Sequence, residues 1–120
     1  MENENIRYDC AVDAAMSVIE GRWKVTILCL LTHNGPMRFS ELQKVIGKIS
    51  SRILTKQLKE LEADHMITRN VDSEKGVKVC YELTSKGMSI IPILKDLAMW
   101  GLNNQFITPI VPSDPVSTES

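Results

Sequence analysis

Apolar residues along this chain recur at helical spacing for most of its length and switch to strict alternation once. Val12, Ala15, Met16 and Ile19 share one face of a helix, which predicts a helix over 10–19 with Asp9 as N-cap and Gly21 as its stop. A second helix follows over 23–32. Trp23, Ile27, Leu30 and Leu31 lie on one side and Val25 and Cys29 on the other, the pattern of a central helix buried on both sides. The stretch "HNGPMRF" breaks the period: Asn34, Gly35 and Pro36 predict a turn and 37–39 a short strand.

Ser40 then opens a third helix with Leu42, Val45 and Ile46 inward, closed by Gly47. Ser50 caps a fourth over 51–64, whose core stripe is Leu54, Leu58 and Leu61. Alternation takes over at 67–72 and 77–83, two strands joined by "SEKG". In the second, Val77, Val79, Tyr81 and Leu83 face one way and Lys78, Cys80 and Glu82 the other. Thr84 caps a last helix over 85–103, and the tail from 107 is rich in Pro and Ser. The order helix, helix, short strand, helix, helix, hairpin, helix predicts a fold that is mainly α with a small β-hairpin wing, a winged helix-turn-helix. Residues 1–8 read as a flexible arm, 9–106 as one DNA-binding and dimerisation domain, and 107–120 as a disordered tail.

Charge sharpens this picture in one place. The chain carries 14 Lys and Arg against 15 Asp and Glu, a net charge of -1, so it is no bulk polycation. Yet from 42 to 59 it holds Lys44, Lys48, Arg52, Lys56 and Lys59 and no acid. With Leu54 at zero on a wheel of about 100° per residue, Leu58 and Leu61 fall within about 40° of it. Arg52, Thr55, Lys56 and Lys59 cluster on the far side, while Glu60, Glu62 and Asp64 come only in the last turns. Cations at a helix start and acids at its end both oppose the macrodipole. A merely solvated face has no use for that order, whereas a helix whose N-terminal half enters a DNA groove does. Ser50, Ser51, Arg52, Thr55 and Lys56 are therefore the base-edge or phosphate candidates, with Arg52 best suited to a bidentate guanine contact. Lys48, Lys59 and Arg38 are placed for phosphate, and Lys75 at the wing tip for the minor groove or backbone.

These residues together resemble the HxlR-type branch of winged-helix transcriptional regulators, close in architecture to the MarR family. The resemblance rests on Cys10, "GRW" at 21–23, "RFSEL" at 38–42, "ISSRILTKQLKELEADH" at 49–65, "YELTSKG" at 81–87 and Trp100-Gly101, in family order and spacing. The chain departs from the family in Ala11 after the cysteine, in His65 where a glycine is usual, and in a wing turn "SEKGVK" without its Pro-Pro. The resemblance implies a homodimeric transcription factor acting on promoter DNA as repressor or activator. It also implies that Cys10 is a candidate redox or electrophile sensor, and that a small-molecule or redox effector is a partner to test for.

The dimer has support from the residues themselves. From 88 to 102 the only charges are Lys95 and Asp96, and the apolar residues exceed one core-facing stripe. The surplus predicts pairing through the first and last helices of two copies, against the alternative of a helix buried within one domain. Cys10 stands in a first helical turn, with Asp9, Asp13 and Arg7 as its charged neighbours in sequence. Sensing by Cys10 and a structural thiol both fit. Cys29, on an apolar helix, reads as core.

Three widely spaced cysteines and two isolated histidines form no metal motif, and no cofactor or catalytic motif is present. The polar, acidic N-terminus and the lack of a membrane-length apolar run point to a cytoplasmic protein, and the lack of a catalytic motif to a non-enzymatic one. The competing reading is a winged-helix module that binds another protein and not DNA.

Overall fold

The computed structural model describes residues 8–72 and 78–105. In chain order the elements are α1 (Tyr8–Ile19), α2 (Lys24–Asn34), β1 (Met37–Arg38), α3 (Phe39–Ile46), α4 (Ser51–Ala63), β2 (Ile67–Asp72), β3 (Lys78–Leu83) and α5 (Ser85–Asn104). This is the expected winged helix-turn-helix, with one addition. The short β1 joins the wing hairpin as a third antiparallel strand in the order β1-β3-β2, pairing Met37 with Tyr81 and Arg38 with Cys80. The hairpin keeps the alternation read from the sequence: Tyr81 is buried, Val79 and Leu83 are half-buried, and Lys78 and Glu82 are exposed. Val77, Lys75, the N-terminal arm up to 7 and the tail from 107 lie outside the described residues.

The core is a single cluster. Ile27, Leu28 and Leu31 of α2, Leu42 of α3, and Leu54, Leu58 and Leu61 of α4 close on Met37, Ile49, Met66, Ile67 and Tyr81. Each fully buried leucine contributes about 1.5–3 kcal/mol of transfer free energy. That seam fixes α4 to the domain and turns its opposite side outward.

Helix α4 ends in a full left-handed cap. The Met66 N–H donates to the Leu61 carbonyl and the His65 N–H to the Glu62 carbonyl, each at 2.9 Å, around His65 at φ 62. That is the Schellman arrangement, with buried Met66 packed beside Leu61. His65 occupies the left-handed position that glycine usually takes, at the modest cost such a residue bears there.

Several expectations are corrected. Helix α1 begins at Tyr8, so Asp9 lies within it and is not its N-cap, and residue 8 does not belong to the arm. Only Ile19 of its apolar stripe is buried; Val12 and Met16 are exposed. Val45 is exposed, not inward, and Cys29 is exposed, not core. Both line an open cavity of about 610 Å³ with Val25, Thr26, Leu30, His33 and Asn34. Helix α2 is therefore buried on one side only. The apolar lining still withdraws water from the Cys29 sulfur, and this partial burial pushes its thiol pKa up.

Candidate nucleic-acid interface

Helix α3, a four-residue connection and α4 form the helix-turn-helix, and local hydrogen bonds set its angle. Gly47 takes φ 81, where a side chain would be strained, and its N–H donates to the Gln43 carbonyl at 2.9 Å. The Gln43 side-chain amide crosses the turn, donating to the Ile49 carbonyl at 3.3 Å and the Ser51 hydroxyl at 2.9 Å. Ser50 is the N-cap of α4, its hydroxyl accepting from the Ile53 N–H at 3.1 Å. At the start of α3 the Glu41 carboxylate accepts the Arg38 N–H at 2.8 Å. Because Arg38 also pairs with Cys80 in the sheet, the first residue before α3 is tied to the wing.

On this frame Arg52, Thr55, Lys56 and Lys59 are all exposed on α4, and Lys48 is exposed in the turn. No acid stands in the first turn of α4 and no base in its last, so the reversed charge order holds. Arg38 is exposed beside the turn. Ser50 and Ser51 have a dual position: both hydroxyl oxygens accept bonds within the motif, which leaves each hydroxyl proton free to donate outward.

Four residues that the sequence reading passed over matter here. Gln43 braces the turn, and no periodic signal marks it because its partner lies eight positions on. Ile53 is 40% exposed on α4 beside the cations, where an apolar side chain suits a thymine methyl. Its place off the leucine seam was the visible signal. Lys24 is only 4% exposed and pairs with Glu60 of α4 at 2.8 Å. Gln57, also of α4, is buried next to it.

Comparison with known proteins gives this geometry its family. The model of the HxlR-like helix-turn-helix family matches residues 18–108. The chain belongs to the HxlR-like helix-turn-helix family. It is 46% identical over 101 residues to the uncharacterised HTH-type transcriptional regulator YtcD of Bacillus subtilis, covering 84% of this chain and 79% of YtcD. Among solved structures it is similar to the redox regulator HypR in its reduced form, at 35% identity and TM-score 0.73 over 80% of this chain and 94% of that one. It is also similar to the transcriptional regulator YodB from B. subtilis. The reduced form of YodB matches at 33% identity and TM-score 0.75, over 81% of this chain and 94% of that one. The quinone-bound form matches at 31% and 0.68, over 78% and 97%. This HxlR-like chain is thus of a regulatory class and not an enzymatic one.

Its three thiols are spread apart: Cys10 is exposed on α1, Cys29 is in the open cavity, and Cys80 is half-buried on β3. Among the described residues no group of His, Cys, Asp and Glu could hold a metal ion. No helix there is long and apolar enough to cross a membrane.

Proposed function

We propose that this HxlR-like protein is a homodimeric, sequence-specific regulator that lays α4 in the major groove of double-stranded DNA. The wing would rest on the backbone or minor groove. The observation that carries this reading is the exposed cationic face of α4, backed by a buried leucine seam and ordered against its own helix dipole. Arg52, Thr55, Lys56 and the outward protons of Ser50 and Ser51 would meet bases or phosphate. Arg38, Lys48 and Lys59 would meet phosphate, and Lys75, outside the described residues, would meet the minor groove or backbone.

Pairing of two copies would cover the apolar surface that one copy leaves open. On α5, Met88, Ile93, Leu97, Met99 and Trp100 are 55–59% exposed, and on α1 Tyr8 is 76% and Val12 56% exposed. Such a surface on the first and last helices suits a two-fold interface, which would set two α4 helices about 34 Å apart. Leu97→Asp buries a charge at that interface. The variant is expected to sediment as a folded monomer and to lose specific duplex binding; a wild type that is itself monomeric would refute the dimer.

Cys10 is the proposed redox or electrophile sensor, because it is an exposed thiol near the start of α1 on the proposed interface. The similarity to HypR and YodB, solved in reduced and in oxidised or ligand-bound forms, adds support. Selection of bound duplexes by the purified protein, repeated after oxidation and with Cys10→Ser, tests the whole reading. Enriched sites with half-sites one helical turn apart and log-linear salt dependence are expected. A response to oxidation that is equal in wild type and Cys10→Ser assigns sensing elsewhere, and no salt-dependent duplex binding leaves the protein-binding module.

A further inference from the structure

Lys56 and Glu60 stand four positions apart on α4, the spacing at which opposite charges on a helix surface pair. In this structure they do not: the Glu60 carboxylate is on the Lys24 ammonium at 2.8 Å, and among the described residues Lys56 makes no ion pair. Lys24 is the first residue of α2, a helix end whose dipole repels a cation, and its side chain is 5% exposed. A buried ammonium there is stable only against a carboxylate.

The chain makes room for it. A side chain at Gly21 would come within 2.9 Å of the Gln57 amide oxygen and 3.5 Å of the Lys24 stem, and Gly21 has φ 129. The missing Cβ leaves the passage through which Lys24 reaches α4. Glu60, with 39% of its side chain exposed, is free enough to swing to Lys56 if that tether is removed. Its carboxyl is held below the usual glutamate range, chiefly by the hydrogen bond from Lys24 and then by the charges of Lys24 and Lys56, so it stays ionised and competent to compete.

We infer that Lys24 is a positioning residue for DNA recognition: it withdraws Glu60 from Lys56 and so leaves the Lys56 ammonium unpaired on the recognition face. This rests on the proposed role of α4 in duplex binding. A purely structural ion pair would stiffen the junction of α2 and α4 without changing how many cations meet phosphate. A tether that frees Lys56 changes that number by one.

The test is the salt dependence of the full chain on its selected duplex, with folding followed by circular dichroism. Lys24→Met is expected to flatten the slope of log K against log salt by roughly 0.9, which is about a fivefold loss of affinity at 0.15 M salt. Adding Glu60→Gln removes the competitor, and the double variant Lys24→Met/Glu60→Gln should regain the wild-type slope and affinity. A Lys24→Met slope equal to wild type, or a double variant as impaired as the single, overturns the inference.

Should Lys24→Met fail to fold, Lys56→Gln probes the same claim from the other side. It should flatten the slope by one phosphate contact, and an unchanged slope overturns the inference. A wild type with no salt-dependent binding defeats the DNA-binding reading itself, which the first titration reveals before any variant is made.

Discussion

Gly87→Ala is expected to destabilise the domain by about 3 kcal/mol or more, the upper part of the range for overpacking a core, although alanine is the better helix former. Gly87 is buried in the first turn of α5, where its N–H donates to the Thr84 hydroxyl at 2.9 Å. Thr84 is the N-cap, and its own hydroxyl donates to the His65 carbonyl at 2.6 Å, with the Met66 carbonyl 3.1 Å away. The Thr84 N–H also donates to Met66 at 3.0 Å. The start of α5 is thus pressed onto the segment that leaves α4. A Cβ on Gly87 would sit 2.2 Å from the Met66 carbonyl oxygen and 3.0 Å from Leu83.

Backbone held by two donors cannot give way as a side-chain tip would. In an open helix the same change would stabilise by about 1 kcal/mol, so the sign alone decides. Thermal unfolding followed by circular dichroism should show a midpoint lower by roughly 12–24 °C, at about 4–8 °C per kcal/mol. An unchanged or higher midpoint would mean that α5 does not seat on Met66 as described.

This contact also shows what a single sequence can and cannot disclose. Thr84 as a cap and the seam of Leu54, Leu58 and Leu61 are local facts, set by residues three and four apart, and the structure has them where the pattern put them. His65 stands where the family resemblance has a glycine, and the structure puts it in the left-handed position. Gly87 looked like a mere motif glycine because its reason is the Met66 carbonyl, brought near only by the hairpin between them. Lys24 carries no local signal, because its partner Glu60 lies on another helix.

Amphipathicity had a further blind spot. It marks side chains that avoid water without saying what covers them. Val25 and Cys29 on α2 read as buried, yet both are exposed where they line the open cavity. Val12, Met16, Leu97 and Trp100 carry the same signal and are also open. For α5 the excess is itself readable as a call for a second copy, since it outruns one stripe. For α2 the two-sided pattern predicts a central helix, and nothing local distinguishes that from an open face. The candidate interface was the most legible part, because charge order along one helix needs no tertiary contact to be seen.

Arg52→Ala together with Lys56→Ala is expected to weaken binding to the selected duplex by roughly 10²-fold or more at 0.15 M salt. A bidentate base contact by arginine is worth about 1–3 kcal/mol of discrimination, and one phosphate contact about fivefold at that salt. Neither side chain is buried, and alanine is the strongest helix former, so the fold has little to lose. Arg52 is the second residue of α4, where its charge opposes the positive end of the helix dipole. Its removal should leave the thermal midpoint level or slightly raised. Affinity and stability therefore move in different directions, a result that general damage to the domain cannot produce. Arg52→Ala alone should relax the base preference at one position of each half-site, whereas Lys56→Ala should flatten the salt slope by about one contact. Binding measured by fluorescence anisotropy across a salt series, with melting curves on the same samples, separates these outcomes. Unchanged affinity in the double variant would remove α4 from the DNA and leave its reversed charge order without a use.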